Sequence, residues 1–163
     1  MSRYCIVVAE GSVARFFTME PAEVPELESG PHLIEKKSMQ NPEHQAHADQ
    51  VWADRMGRNR SVGMRGHRYD DHRVQRTAEM ERRFARDITR ELDQFARGNG
   101  TRHVVVCAEK RMLGYLRHDL DRAVPENAAL HEVPKDLAKL TPRQLHDHLA
   151  RDGHIPPRAR ARH

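Results

Sequence analysis

The sequence has few cysteines and no long apolar run. Its two cysteines, Cys5 and Cys107, stand inside the apolar segments "YCIVVA" and "VVVCA", so we expect buried thiols and no disulfide framework. No apolar stretch approaches the roughly 20 residues that span a bilayer, and the apolar part of "MSRYCIVVAEGS" is too short for a signal peptide. We therefore expect a cytoplasmic protein without a membrane partner.

Aromatic residues are also scarce, at 5% of the chain, while hydrophobic residues make up 37% and charged residues 32%. This composition predicts a modest core under a heavily charged surface. The length of 163 residues, without a break in composition, predicts one domain. We place that domain at residues 1–150 and a basic, disordered tail at residues 151–163, where two prolines precede "RARARH".

Positive charge is concentrated in one segment. Residues 1–54 carry four Lys/Arg against nine Asp/Glu, whereas residues 55–76 carry seven arginines against two aspartates. The absence of lysine from this segment suits bidentate contact with phosphate, which the guanidinium group makes well. The alternative is a solvated charged loop without a ligand, which is the usual role of a charge run.

The hydrophobic pattern predicts five strands. Two of them join at Glu10 and Gly11 in a tight hairpin. A third, more polar strand, "HLIEKKSM", is expected near an edge of the sheet. The run "RHVVVCAE" predicts a buried strand that is parallel to its neighbours, because a helix precedes it and another follows. "AALHEV" predicts a last short strand.

Three helices are expected from apolar stripes at helical spacing. They are "VQRTAEMERRFARDITRELDQFARGNG", "KRMLGYLRHDLDRAV" and "LTPRQLHDHLA", the last opening with a capping box from Thr141 to Gln144. Gly114 inside the second helix costs about 1 kcal/mol relative to alanine, so we expect a close neighbour there. The succession β-β-β-loop-α-β-α-β-α predicts an α/β fold of three layers, with a mixed sheet of about five strands flanked by helices.

Residues 40–74 show no clear periodicity and predict a long irregular loop. Such a loop inside a compact domain is usually functional or disordered. Because it enters the first long helix, we place the candidate site at residues 54–76.

Several separated segments, "YCIVVAEGSVARFF", "NPEHQAHADQVWADRMGR", "FARDITREL", "VVVCAEKRMLGYLR" and "VPKDLAKLTPRQLHDHL", together resemble the host attachment protein family. The resemblance covers roughly residues 3–149. It implies a small bacterial protein of one domain. The motif positions that it carries over are Gly11, Ala14, Arg15, Asn41, Pro42, Asp54, Arg55, Gly57, Arg58, Leu113, Gly114, Arg117, Lys135, Asp136, Leu137 and Leu140.

That family is in turn grouped with the middle domain of the archaeal and eukaryotic peptide-chain release factors, which has an RNase H-like or Rossmann-like fold. In that domain a Gly-Gly-Gln loop precedes a long basic helix. The similar stretch here is "GMRGHRYDDHRVQRTAEMERRFARD", in which His67 follows Gly66 where the release factors have glutamine. The resemblance therefore implies a ribosome-facing fold more than termination activity.

The first hypothesis for function is binding to RNA or the ribosome, in translation or its rescue, through the arginine-rich loop. Backbone phosphates supply most of the affinity of such surfaces. The phosphate contacts are assigned to Arg55, Arg58, Arg60, Arg65, Arg68, Arg73 and Arg76. If the loop is catalytic, the reaction is hydrolysis of the peptidyl-tRNA ester, with His67 as base or donor and Asp70 or Asp71 orienting it. The alternative is that Asp71 caps the helix and His67 is exposed surface.

Two other kinds of function are alternatives, a metal site and a protein–protein module. His44, His47, His67 and His72 have the chemistry of zinc ligands, but they lack the spacing of known zinc motifs, so we predict no metal site and no cofactor. A protein–protein module is the other class, in which the exposed edge of the third strand pairs two copies into a homodimer.

Overall fold

The computed structural model describes residues 3–43 and 66–159, and for residues 66–74 the backbone alone. Its strands are β1 (Tyr4–Ala9), β2 (Val13–Glu20), β3 (His32–Gln40), β4 (His103–Ala108) and β5 (Ala129–Val133). Its helices are α1 (Gly66–Gly98), α2 (Lys110–Ala123) and α3 (Pro142–Arg151). The predicted α/β fold with a five-stranded mixed sheet is confirmed.

The five strands form one sheet in the order β3-β2-β1-β4-β5. β2 lies antiparallel between β1 and β3, while β4 lies parallel between β1 and β5. The hairpin between β1 and β2 turns at Glu10, whose backbone N–H donates to the carbonyl of Val13 at 2.9 Å. The predictions of a parallel β4 and of an edge position for β3 are therefore confirmed.

The core has two parts, one on each face of the sheet. On one face, β1, β2 and β4 pack against α1 and α2, whose stripes include Phe84, Ile88, Leu113 and Leu116. On the other face, the same three strands pack against Leu145 of α3, among other residues. Sheet side chains alternate between the two faces, so that these strands are buried on both sides. This explains why β1 and β4 have continuous apolar sequences.

Helix α1 begins at Gly66, inside the stretch that the sequence predicts as irregular loop 40–74. Among its described side chains, the first buried one is Met80, fourteen residues further on. Fourteen helical residues rise by about 21 Å. The sequence predicts this helix from Val74, so α1 begins eight residues earlier than expected. Residues 66–73 have a single large apolar side chain, Tyr69, and therefore show no apolar periodicity that could predict a helix.

Residues 152–159, which the sequence assigns to a disordered tail, lie against the domain. Ile155 is buried in the core of the α3 face. Gly30 and Ala159 exchange two backbone hydrogen bonds, at 3.2 and 2.7 Å. Helix α3 ends at Arg151, where Gly153 turns the chain with a φ of 81° and its backbone N–H donates to the carbonyl of Ala150 at 3.1 Å. Pro156 and Pro157 come after this turn, in the segment that returns to the domain.

Candidate functional site

The carboxyl ends of β1 and β4 define the first candidate site, which we call the carboxyl edge. The chain leaves β1 toward β2 and β3 on one side, and leaves β4 toward β5 on the other. In open α/β sheets, ligands bind outside the strand ends at such a reversal of strand order. Glu10 follows β1 here, and Glu109 follows β4 and caps α2 by accepting a hydrogen bond from the backbone N–H of Met112 at 2.9 Å.

A buried carboxylate from α1 reaches the carboxyl edge. Glu81 is 6% exposed, and its Oε1 accepts a hydrogen bond from Nη2 of Arg111 at 3.2 Å. Its Oε2 is buried without a partner in the described part of the chain. A Cβ added at Gly11 would lie 2.7 Å from Oε1 of Glu81. A larger residue at this position would therefore displace the carboxylate of Glu81 from its present place.

Asn41 ties the end of β3 to the same hairpin. Its side-chain Nδ2 donates to the carbonyl of Gly11 at 3.1 Å, and its backbone N–H donates to the carbonyl of Ser12 at 2.8 Å. Its Oδ1 accepts from the backbone N–H of Glu43 at 3.2 Å, so the backbone N–H and both side-chain polar atoms of this buried residue are bonded. The structure thus brings the motif residues Gly11 and Asn41 together, with Pro42 adjacent.

An ion pair connects Glu43, which follows β3, to α1. Glu43 Oε2 lies 2.7 Å from Nε of Arg83, and this hydrogen bond raises the pKa of the Arg83 guanidinium. The chain thus passes Glu43 at the carboxyl edge and comes back to this edge along α1.

The motif residue Arg15 of β2 contacts the segment before α3, which carries the motif positions 135–140. Its Nη1 donates to the carbonyls of Ala138 and Leu140 at 2.8 and 2.6 Å, and its Nε and Nη2 bind Glu35 at 2.7 and 3.2 Å. The guanidinium also lies 5.0 Å from the ring centroid of Phe17. With a side chain only 15% exposed, Arg15 fixes the segment before α3 onto the sheet.

Two motif residues of that segment make bonds of their own. Asp136 Oδ1 accepts from the backbone N–H of Ala138 at 3.1 Å, and Nζ of Lys135 lies 3.0 Å from Oδ2 of Asp152. The Lys135 ammonium holds the pKa of the Asp152 carboxyl below its usual value. These contacts shape the turn into α3, so we interpret this part of the motif as structural.

Helix α2 exposes the last two motif residues. A Cβ added at Gly114 would meet none of the described residues within 4 Å, so the close neighbour expected at this glycine is not found among them. Nε of Arg117 lies 2.9 Å from Oε2 of Glu132, with an Arg117 side chain that is 58% exposed. Neither residue is needed for packing, because both stand on the outer side of the helix.

The structure describes only part of the predicted arginine-rich site. Asp54, Arg55, Gly57, Arg58, Arg60 and Arg65 lie outside the described residues, as do the proposed zinc ligands His44 and His47. His67, Arg68, Asp70, Asp71, His72 and Arg73 stand on α1, where the backbone alone is described, and Arg76 is exposed on the same helix. The alternative that Asp71 caps the helix is wrong, because α1 begins five residues earlier.

The described half of α1 carries a graded charge on its exposed side. Residues 75–86 expose Arg76, Arg82, Arg83 and Arg86 against the single exposed carboxylate of Glu79. Residues 87–98 carry two arginines against three carboxylates. We call the four arginines of 75–86 the arginine face. Its positive charge lies toward the end of α1 that continues into the predicted site.

Three members of the arginine face have no ion-pair partner among residues 3–43 and 75–159. Arg76 and Arg86 make no side-chain bond there. Arg82 instead lies over the ring of Tyr115 in α2, with 5.3 Å between the guanidinium carbon and the ring centroid. An arginine that is held by a ring and not by a carboxylate keeps its donors free for an anion.

The sequence did not identify Glu81 as part of a site. The signal was present, because Glu81 stands at helical spacing with Ala85, Ile88 and Leu92 and is therefore a carboxylate on the buried side of α1. Charged residues are almost never fully buried unless they are paired. Its pairing with Arg111, thirty residues away, is not visible in any local pattern.

Among the described residues, no group of three or more His, Cys, Asp or Glu side chains is arranged to hold a metal ion. None of the described helices is both long enough and apolar enough to cross a bilayer.

The fold and these sites define an α/β protein of three layers, in which the part of α1 that reaches the carboxyl edge of the sheet exposes four arginines. The chain belongs to the family described as "Protein required for attachment to host cells", which it matches over residues 5–149. None of the curated proteins matches it.

Proposed function

We propose that this member of the family is a cytoplasmic RNA-binding protein, and that its arginine face and the adjoining segment 54–76 contact the phosphate backbone of the ribosome or of free RNA. The observation that carries the proposal is the charge gradient along α1. Four exposed arginines stand against one carboxylate on residues 75–86, next to the segment with seven arginines and two aspartates. Continuous positive charge of this kind supplies sequence-independent affinity for phosphate.

The absence of a side chain at Gly114 is a second observation that favours a binding surface at the arginine face. Gly114 precedes Tyr115, the ring that lies under Arg82, and no described residue lies within 4 Å of a Cβ built on Gly114. A glycine in an exposed helix lowers stability by about 1 kcal/mol relative to alanine, and no packing contact with the described part of the chain explains it. A partner that approaches the arginine face closely would use this space, and the resemblance to the release-factor middle domain is part of the same proposal.

The proposal is tested by fluorescence anisotropy with a labelled single-stranded RNA over a series of salt concentrations. The variant R76A/R82A/R86A removes the three arginines without ion-pair partners. The matched control R3A/R102A/R151A removes three exposed arginines elsewhere and changes the net charge equally. We expect the first variant to lower the slope of log K against log salt by about 2, since each single-strand phosphate contact contributes about 0.7.

Equal losses of affinity in the two triple variants would contradict a localised site and would leave only a general charge effect. For segment 54–76, we expect R58A/R60A/R65A to abolish co-sedimentation with ribosomes while leaving the melting temperature nearly unchanged. Unaltered co-sedimentation would exclude that segment. A hydrolysis assay on peptidyl-tRNA, comparing the intact protein with His67→Ala, tests the catalytic hypothesis separately.

A second candidate function, pairing of two copies, is favoured by strand β3. It is an outer strand of nine residues, and its residues from Ile34 to Ser38 are all exposed, with Ile34 at 41%. Outer strands with free backbone groups pair readily with another chain. Analytical ultracentrifugation distinguishes the two functions. A nucleic-acid-free dimer that dissociates on Ile34→Lys supports pairing, whereas a monomer that co-purifies with nucleic acid supports RNA binding.

A further inference from the structure

A groove of about 420 Å³ lies at the opposite end of β3 from Asn41. We call it the α3 groove. Its walls come from the start of β3 and the segment before it, from the first half of α3, and from the returning segment. The polar residues that line it are Glu28, Ser29, His32, Arg143, His146 and Arg158. The volume is in the range of small-molecule sites, which starts at about 300 Å³. None of these residues belongs to the carboxyl edge or to the arginine face.

Two arginines give the α3 groove free donors. Arg143 is exposed and has no ion-pair partner among residues 3–43 and 75–159. Arg158 is 16% exposed and binds Asp147 through Nε and Nη2, at 2.9 to 3.3 Å. Its Nη1 makes no bond with the described residues. Glu28 is the one carboxylate of the lining, and its Oε2 lies 3.8 Å from Nε2 of His32.

The protonation of His146 follows from its contacts. This residue is 1% exposed, and its Nε2 lies 2.9 Å from the carbonyl of Pro156. Because a carbonyl can only accept, Nε2 carries the hydrogen. Burial lowers the pKa of the His146 imidazole, and Arg158 adds to that effect, so the ring is neutral near pH 7. Its Nδ1 is then an acceptor.

That acceptor is buried and has no donor in the described structure. A buried polar atom without a partner is costly, at about 1–3 kcal/mol, and native proteins satisfy most such atoms with protein, water or ligand. His146 lines the α3 groove together with Arg143 and Arg158. The free donors of the two arginines, which suit an anion, therefore lie in the same groove as a residue whose Nδ1 is an unmatched acceptor. A ligand that fits both needs an oxyanion and a hydroxyl group on the same small molecule.

We propose that the α3 groove binds a small hydroxylated oxyanion. Its phosphate or carboxylate group would bind Arg143 and Nη1 of Arg158, and a neighbouring hydroxyl would donate to Nδ1 of His146. The carbon chain would rest on Leu33 and Pro142, the apolar residues of the lining. This site is independent of the proposed RNA binding, since it shares no residue with the arginine face.

The test is isothermal titration calorimetry of the full chain with four probes. Glycerol phosphate and glycerate each carry an oxyanion with hydroxyls, inorganic phosphate carries the oxyanion alone, and glycerol the hydroxyls alone. We expect one of the first two to bind more tightly than inorganic phosphate or glycerol, and which one binds identifies the oxyanion as phosphate or carboxylate. Equal binding of all four, or none at about 10 mM, a range far weaker than typical metabolite sites, overturns the proposal.

Variants locate the binding. Arg143→Ala should weaken it about tenfold, which corresponds to one lost charge-assisted hydrogen bond. Arg151→Ala, another exposed arginine of α3 outside the groove, should leave it unchanged. In the intact protein the ¹⁵N resonance of Nδ1 in His146 should shift on binding. Equal weakening in the two variants, or an unmoved His146 resonance with a bound ligand, would contradict the assignment.

Discussion

Arg15 gives the sharpest test of which motif residues are structural. Arg15→Ala removes two hydrogen bonds from a charged guanidinium to the carbonyls of Ala138 and Leu140. Hydrogen bonds to charged groups contribute about 1.5–3 kcal/mol each. Water can replace the arginine at these partly buried carbonyls, so we take the lower value for both. The partly exposed pair with Glu35 adds at most about 1 kcal/mol.

We therefore expect Arg15→Ala to lower the free energy of unfolding by about 3 kcal/mol. For a chain of this size, that corresponds to a fall in melting temperature of about 6–12 °C. Arg15→Lys should recover less than half of the loss, because an ammonium group lacks the planar fork that reaches both carbonyls and the carboxylate. The assay is equilibrium unfolding in urea, with the slope checked for equality between variants.

Arg117→Ala is the matched control, because it removes another motif arginine with one partner, Glu132, at an exposed position. Exposed ion pairs contribute about 0–1 kcal/mol, so the control should lose about 0.5 kcal/mol. Amide exchange adds a local measurement, since loss of Arg15 should speed exchange near residues 138–140 more than in β1. If both variants lose less than about 1 kcal/mol, the inference that Arg15 fixes the segment before α3 is wrong.

Three further predictions concern stability and reactivity. Gly114→Ala should raise the free energy of unfolding by about 1 kcal/mol, because the new methyl group would meet none of the described residues within 4 Å. A lower free energy of unfolding in urea would contradict this. Thr141→Ala should lower it by about 1 kcal/mol, since Thr141 and Gln144 bond reciprocally at the start of α3; an unchanged unfolding midpoint would contradict the capping argument. Burial raises the pKa of the Cys5 and Cys107 thiols to about 12, so neither should react with a disulfide reagent near pH 8 before unfolding. Rapid titration of two thiols in the native protein would contradict their burial.

Most of the fold could be predicted because the strands and helices carry their own signals. The continuous apolar runs of β1 and β4 reflect burial on both faces of the sheet, and the confirmed capping box of α3 lies within four consecutive residues. The first eight residues of α1, Gly66 to Arg73, carry no such signal, because Tyr69 is their one large apolar residue. A segment without an apolar stripe gives no helical periodicity, so this part of α1 resembles a loop in its sequence.

The contacts of the candidate sites could not be predicted, since they join residues that are far apart in the chain. The carbonyl partners of Arg15 lie 123 and 125 residues further on. Glu81 meets Gly11 and Arg111 only because α1 crosses the carboxyl edge of the sheet. A sequence pattern can show that an arginine or a carboxylate is unusually placed, but its partner depends on how the elements pack.

The family motif therefore divides into two groups with different physical roles. Gly11, Arg15 and Asn41 are enclosed, and each makes or permits a contact that holds the hairpin or the turn into α3. Gly114 and Arg117 are exposed on α2 and contribute little or nothing to the packing. Stability accounts for the first group. For Gly114, the proposed RNA partner offers a reason, since Arg82, an arginine suited to an anion, is held over Tyr115 beside the exposed glycine.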